Sequence, residues 1–286
     1  MCGRYAAGSS PDALVVEFEV DLDRTDEVPR SILKSPQEPP PGAPDYNMAP
    51  SKQAPVVLTR ALRESDEAYA DAGPDPLRQL RLLTWGLVPS WAKDPSIGVR
   101  MVNARAETVL GGGAFARAAR SRRCLVPASG WYEWQASPTA TDATGRPRRQ
   151  PFFVHRADGR TCAFAGLYEF WRDPRVAGGD DPLAWLTTFT IITTGAEAGL
   201  DRIHDRQPLV LEEDDWDRWL DPAMSDPDEV GALLAVARAG RFEAYPVSRA
   251  VSSTRNNGRR LLDRALPDEL VGVVDPMTGE VIGDGR

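Results

Sequence analysis

A cysteine occupies the second position, in Met1-Cys2-Gly3-Arg4-Tyr5. Cysteine is small enough for the initiator methionine to be removed ahead of it. Removal leaves one residue carrying both a free α-amine and a β-thiol. Unperturbed, these groups titrate near ~8 and ~8.5, so each has a reactive fraction at neutral pH. Such a 1,2-aminothiol attacks an aldehyde through nitrogen and closes a ring through sulfur, giving a thiazolidine. No other position in a chain can do that. The plain alternative is an early residue of a frayed terminus.

Three further segments hold polar groups that chemistry could use. Asn103-Ala104-Arg105-Ala106-Glu107-Thr108 follows an expected strand. Asn103 suits a helix N-cap, and Glu107 an ion pair with a nearby arginine. Alternatively, Asn103 donates to a reacting carbonyl and Arg105 to a phosphate. Ser129-Gly130-Trp131-Tyr132-Glu133-Trp134 sets one carboxylate among three aromatics. Desolvation pushes such a carboxyl upward, toward the range a proton shuttle needs at neutral pH. On a strand Trp131 and Glu133 share one face, Tyr132 and Trp134 the other. A solvent-facing edge glutamate is the alternative. Ile203-His204-Asp205-Arg206-Gln207-Pro208 carries one of only two histidines in an expected loop. Loop histidines are often simply solvated, yet loops on rigid scaffolds hold catalytic groups disproportionately. His155 reads as a surface-packed strand end. Trp91, in Trp85-Gly86-Leu87-Val88-Pro89-Ser90-Trp91, and Trp134 offer flat faces near arginines. Core packing is their default, and stacking of unpaired bases the functional reading.

These residues need elements to position them. Ser10-Pro11-Asp12 opens a helix to about Glu19, and 29–44 is a proline-rich excursion. Strands are expected at 56–59 and 80–85, flanking a charged, mobile insertion at 63–76. Short helices follow at 103–110 and 115–121. Strands then dominate, at 124–126, 131–134, 152–155, 163–167 and 186–193, with 136–150 the longest polar loop. Helices at 212–220 and 227–239 and a strand at 242–246 complete the series. The order suggests a single α+β domain with a large mixed β-core and peripheral helices.

The 286 residues carry a net charge of −8, which at first argues against a polyanionic partner. Local field decides that question, however. Arg100, Arg105, Arg117, Arg120, Arg122 and Arg123 face one acid, Glu107, over 100–123, and Arg249, Arg255, Arg259, Arg260 and Arg264 form a second basic stretch. Scattered solvated arginine is the alternative. The three cysteines, Cys2, Cys124 and Cys162, show neither even pairing nor metal spacing, so a reducing, cytoplasmic setting without metal is expected. No apolar run approaches the ~20 residues of a membrane span, and no signal peptide precedes Cys2.

Taken jointly, the segments resemble the SRAP family, the SOS response-associated peptidases or abasic-site-processing proteins. The matching pieces occur in family order at 2–5, 46–50, 85–91, 103–108, 130–134, 203–208 and 246–251, and reach to about residue 265. The resemblance implies a barrel-like SRAP domain over 1–268, with 269–286 a weakly ordered tail. It implies a monomer without cofactor that binds abasic single-stranded DNA in a basic groove, associating with the nucleoid when on DNA. Cys2, freed of Met1, would condense with the ring-opened aldehyde and shield the site during the DNA damage response. By carry-over, Asn103 positions the terminal residue, Glu133 shuttles protons and His204 assists sugar ring opening. Arg4 and Arg105 hold phosphates, Trp91 and Trp134 lie against bases, and Pro50, Thr193 and Arg206 line the DNA site. Ala92, Gln207 and Ser252 depart from common family choices, which touches groove details.

Three rival readings have different chemistry. A class II amidotransferase glutaminase uses a terminal cysteine's amine as base for its own thiol, but the later motifs are foreign to it. A cysteine peptidase would pair Cys2 with His204; within the family, peptidase activity is better assigned to Met1 release. A non-covalent single-stranded DNA-binding module would leave Cys2 incidental.

Overall fold

Alternation of apolar side chains decides which way each strand faces. The computed structural model describes residues 2–282 apart from 28, 63, 65, 67, 177–180 and 236–239. In chain order its strands are β1 (Tyr5–Ala7), β2 (Leu22–Arg24), β3 (Asp45–Met48), β4 (Gln53–Arg60), β5 (Leu77–Trp85) and β6 (Asn103–Arg105). Then come β7 (Arg123–Ala128), β8 (Gly130–Thr141), β9 (Pro147–Arg156), β10 (Cys162–Arg172) and β11 (Trp185–Gly195). The last are β12 (Arg206–Pro208), β13 (Val210–Leu211), β14 (Phe242–Pro246), β15 (Val273–Val274) and β16 (Val281–Ile282). The helices are α1 (Pro11–Glu17), α2 (Tyr69–Ala72), α3 (Ala116–Ser121), α4 (Trp216–Leu220) and α5 (Pro227–Leu234).

Strands β11, β10, β7, β4 and β5 pair in that order. β5 then runs parallel to β11 through Thr84–Thr188 and Trp85–Phe189, closing a five-stranded mixed barrel. Closure leaves no bare edge between those five strands. A second sheet is ordered β14-β9-β8-β1-β3.

Val56 and Leu58 on β4, and Cys124 and Val126 on β7, enter the main core; the intervening Val57 and Leu125 face the helices. The second sheet sends Cys2, Tyr5 and Trp131 into the same main core. Tyr5 meets Trp85 edge-on at 5.2 Å and Trp131 meets Phe164 at 6.0 Å. Such pairs add roughly 0.5–1.5 kcal/mol each beyond the burial of area. Leu14, Ala118, Trp219 and Leu233 of the helices cover the opposite faces. Ser10 and Asp226 cap α1 and α5 through Ala13 and Asp228, as their positions before proline predict.

The structure departs from the sequence expectations in four places. Residues 103–110 are not a helix: 103–105 form β6, parallel to β11. Partnership with a barrel strand outweighs weak local propensity there, so Asn103 caps nothing. The expected loop at 136–150 is a hairpin, because β8 and β9 extend to Thr141 and from Pro147. Within the 63–76 insertion, α2 forms and Asp66 pairs with Arg24 at 3.1 Å. Part of the helix expected to 239 lies outside the described residues. Finally, the tail carries the β15–β16 hairpin, whose Val273 is buried in the main core. A short strand with one deeply buried valine was too brief for periodicity to reveal.

The basic stretch at 100–123 also divides. Arg122 pairs with Glu169 at 2.9 Å, and Arg123 is 3% exposed beneath α4. Neither belongs to a free electropositive face.

Candidate active site

β1 lies between β3 and β8, with Tyr5 opposite Trp131 and the Tyr132 N–H donating to the Arg4 carbonyl (2.9 Å). That register carries residues 2–4 alongside the stretch that bears Glu133. Cys2 is fully buried. Burial and the nearby Glu133 charge push its thiol well above the ordinary range.

Glu133 also lines a cleft of about 450 Å³, together with Arg4, Trp134, Arg149, His204 and Ser252. Glu133 is 4% exposed, and its Oε1 has no hydrogen-bond partner among the described residues. Burial pushes its carboxyl up to about 7. Trp131 and Glu133 lie on one face of β8, while Tyr132 and Trp134 pack on the outer cluster, as strand alternation predicts. Trp134 donates its indole N–H to Ser252 Oγ (3.1 Å) and lies 5.8 Å from the Arg4 guanidinium.

His204 follows a 3-10 turn at Leu200–Arg202 and is lowered from the ordinary imidazole range by burial. The Arg206 backbone N–H donates to His204 Nδ1 (3.0 Å). Asp205 Oδ1 is also 2.9 Å from Nδ1, but that carboxylate is 86% exposed and screened by water. The amide donor is the stronger constraint, so we assign the ring proton to Nε2.

Asn103 lies on the barrel and is not among the residues lining the cleft or the small cavity beneath Glu133 and His204. β6 sets it opposite Ile191, whose carbonyl accepts a long contact from Nδ2 (3.4 Å). Its Oδ1 is buried with no partner among the described residues. A buried carbonyl oxygen in that state is suited to an ammonium or amine donor.

Other candidates are placed differently. Arg206 forks onto Glu107 (2.6 and 2.9 Å) and donates to the Thr193 carbonyl (2.6 Å). It lines a small inner cavity with Glu133 and His204, held in place by these bonds. Thr193 is buried, its Oγ1 directed to the Ala104 carbonyl (3.4 Å). Arg105 is exposed on β6, Trp91 is 66% exposed, and Pro50 sits in the turn after β3; none of the three lines the cleft.

Two residues escaped the sequence reading. Arg149 reaches the cleft from β9, opposite Ala136, and the run Arg146-Pro147-Arg148-Arg149 was its available signal. Asn47 had no signal apart from its motif. Its Nδ2 donates to the carbonyls of Val251 (3.3 Å), Ser253 (2.9 Å) and Asn256 (2.8 Å), while its Oδ1 accepts from Arg4 (2.6 Å). One buried amide thus fixes both Arg4 and the loop that presents Ser252. Among the described residues, no group of three or more His, Cys, Asp or Glu could hold a metal ion, and no helix is long and apolar enough to cross a membrane.

Comparison with known proteins agrees with this architecture. The SOS response associated peptidase (SRAP) family profile matches residues 1–254. The abasic site processing protein YoaM of Bacillus subtilis is 35% identical over 263 residues, covering 92% of this chain and 98% of that protein. The abasic site processing protein YedK of Escherichia coli is 30% identical, covering 92% and 99%. Rat abasic site processing protein HMCES is 31% identical across 90% of this chain and 74% of its own. A solved structure from Bacteroides thetaiotaomicron superposes with a TM-score of 0.67 at 21% identity, covering 93% of this chain and all of that one, a likeness of fold. By sequence and by fold, the chain belongs to the SOS response associated peptidase family.

Proposed function

We propose that this protein captures abasic sites in single-stranded DNA by forming a thiazolidine through Cys2. The observation that carries the reading is Glu133, a buried carboxyl near pH 7 with an oxygen unpartnered among the described residues, close enough to Cys2 to push its thiol up, and lining an arginine-bearing cleft. Relatives named as abasic site processing proteins support the choice of substrate. Arg4 and Arg149 would hold the phosphate backbone, and Trp134 would lie against a base.

Hydrolysis of the Met1–Cys2 bond, the self-processing step, frees the α-amine, which Asn103 Oδ1 then accepts as a donor. His204 assists opening of the sugar hemiacetal by moving a proton at Nε2. The amine nitrogen attacks the aldehyde carbon to give a carbinolamine. Protonated Glu133 gives its proton to the departing hydroxyl, which leaves as water, and an iminium forms. The Glu133 carboxylate takes the thiol proton, and sulfur adds to the iminium carbon. One C–N and one C–S bond form, the carbonyl oxygen leaves as water, and Glu133 ends protonated as it began. A carboxyl titrating near neutrality serves both directions. Reversal of the same steps, or β-elimination from the iminium, would account for release or lyase-like cleavage.

A cysteine peptidase needs a thiolate beside an imidazolium. Here burial raises the Cys2 thiol and lowers His204, so both favour their neutral forms. That arrangement speaks against the peptidase alternative.

The test is incubation with abasic single-stranded DNA followed by denaturing electrophoresis and intact mass. We expect protein lacking Met1 to gain the DNA mass less one water. Cys2→Ala should form no covalent band while retaining salt-sensitive binding. A heat-stable adduct in Cys2→Ala, formed without added reductant, overturns the reading.

A further inference from the structure

We infer that the C-terminal hairpin β15–β16 is a clamp that holds the His204 turn against β8, with Gln135 as its positioning residue. The inference rests on the function proposed above, in which His204 and Glu133 serve one substrate. The hairpin lies beyond residue 254, where the family match ends.

Gln135 is the next residue after Glu133 on the same face of β8, and it is 2% exposed. Its Nε2 donates to the carbonyls of Val274 (2.9 Å) and Arg202 (3.2 Å), and its Oε1 accepts the Val274 N–H (2.8 Å). One side-chain amide therefore pairs with a hairpin residue as a neighbouring strand would, and also seizes the turn that leads to His204. The turn also closes on itself and is tied to the loop of the same hairpin. The His204 N–H donates to the Leu200 carbonyl (3.1 Å), and the Arg202 guanidinium donates to the carbonyls of Pro276 and Met277.

Ser137, two residues further along the same face, donates its hydroxyl to the Gly272 carbonyl (2.6 Å). Gly272 has φ +70°, and a Cβ there would stand 2.6 Å from Ala140 Cβ and against Ser137 Oγ. Glycine is what lets the hairpin lie this close to β8. None of Gln135, Ser137, Arg202, Gly272 or Val274 lines the cleft, so the clamp acts on the site without touching DNA. Only an amide has both the donor and the acceptor the geometry uses; glutamate lacks the one and leucine lacks both.

Two readouts test the clamp. In 15N-histidine NMR without DNA, His204 and His155 give two resolvable rings. The charged groups facing His204 are the chain's terminal ammonium, Glu133 on β8, Arg149 on β9, Arg4 ahead of β1, and its neighbours Asp205 and Arg206. Wild type should show the Nε2–H tautomer. Gln135→Leu and Gly272→Ala should show a tautomer mixture that titrates higher, nearer ordinary imidazole, as the turn loosens toward water. In single-turnover crosslinking, the same variants should react about 10- to 100-fold more slowly, as a misplaced catalytic group does. Affinity for intact single strands and the end-point yield should stay at wild-type values. If Gln135→Leu does not fold, Val274→Pro removes the one N–H donor to Gln135 and leaves β8 untouched.

A wild-type His204 spectrum in these variants overturns the clamp, whether or not the rate falls. So does a rate loss matched by a proportional loss of end-point yield, which reports a misfolded fraction. Failure of wild type to crosslink at all would overturn the proposed function instead, and the NMR arm would still judge the clamp.

Discussion

Arg123 and Glu133 are both charged side chains buried on strands, and they are satisfied to opposite degrees. Arg123 has five N–H donors, and each finds a carbonyl: Trp219 (2.7 Å), Ala119 (3.1 Å), Arg120 (2.7 Å), Asp221 (2.5 Å) and Met224 (2.8 Å). It bolts α3 and α4 to β7 and has no capacity left for a ligand. Around Glu133 the reverse holds. Glu133 Oε1 is buried and unpartnered among the described residues, and so are Arg4 Nε and Arg206 Nε on two residues that share a cavity lining with it. An unmade buried hydrogen bond costs about 1–3 kcal/mol, so three in one region is a standing cost. Arg123 serves the fold with its bonds saturated, whereas Glu133, on the function proposed above, keeps capacity open for a substrate or a freed amine.

Exchanging one atom at the open site gives the largest effect. Glu133→Gln keeps size and polarity but cannot exchange a proton, and crosslinking should slow by roughly 10²–10⁴ while DNA affinity holds. A gel time course at wild-type rate would remove Glu133 from the mechanism. At the saturated site, Arg123→Met strands five carbonyls and should cost on the order of 3 kcal/mol or more. Thermal melting should drop by several degrees, with the crosslinking rate of folded protein unchanged; a loss of rate at full foldedness would blur the comparison.

Glu133→Gln should also reveal the stability given up at the open site. The folded carboxyl titrates at about 7, against ~4.3 when unfolded. Between those values the folded chain holds a proton that the unfolded chain has released, so wild-type stability falls as pH rises through that window. The melting advantage of Glu133→Gln should therefore be larger at pH 8 than at pH 5, and an equal advantage at both would place the carboxyl's titration elsewhere. The smallest effect concerns phosphate. Arg149→Ala should flatten the slope of log affinity against log salt by roughly 0.7, and Arg123→Met should not change it. Arg149 is the cleaner probe than Arg4, which also holds Asn47 and the Val251 carbonyl.

Glu133 was legible because its signal is local: alternation sets the face, and flanking aromatics set the burial. Cys2 and His204 drew attention through their rarity and position, and the structure sets Cys2 in the main core and His204 on the cleft wall. Asn103 was legible as a residue but not as a strand, since β6 exists only through Ile191, Ile192 and Thr193, eighty-eight residues away. Arg123 was misread for a related reason. Composition counts an arginine in a basic run, and only tertiary structure shows that all its donors are spent. Arg149 hid in a segment read as loop, where a hairpin extends past the apolar stretch that announces it. The β15–β16 hairpin was invisible because its anchor is the side chain of Gln135 and not a pattern of its own.

The parallel seam between β5 and β11 has a consequence for biosynthesis. Cys2 is made well before its proposed partners: Asn103 has no strand to lie on until β11 is made, and His204 follows β11 in the chain. Contacts of such long sequence separation close late and together, since loop entropy must be met before they hold. A nascent chain therefore exposes an ordinary cysteine for most of its synthesis. On the function proposed above, Cys2 meets the groups it would work with at about the moment the barrel closes, so order of translation would itself guard it against premature use.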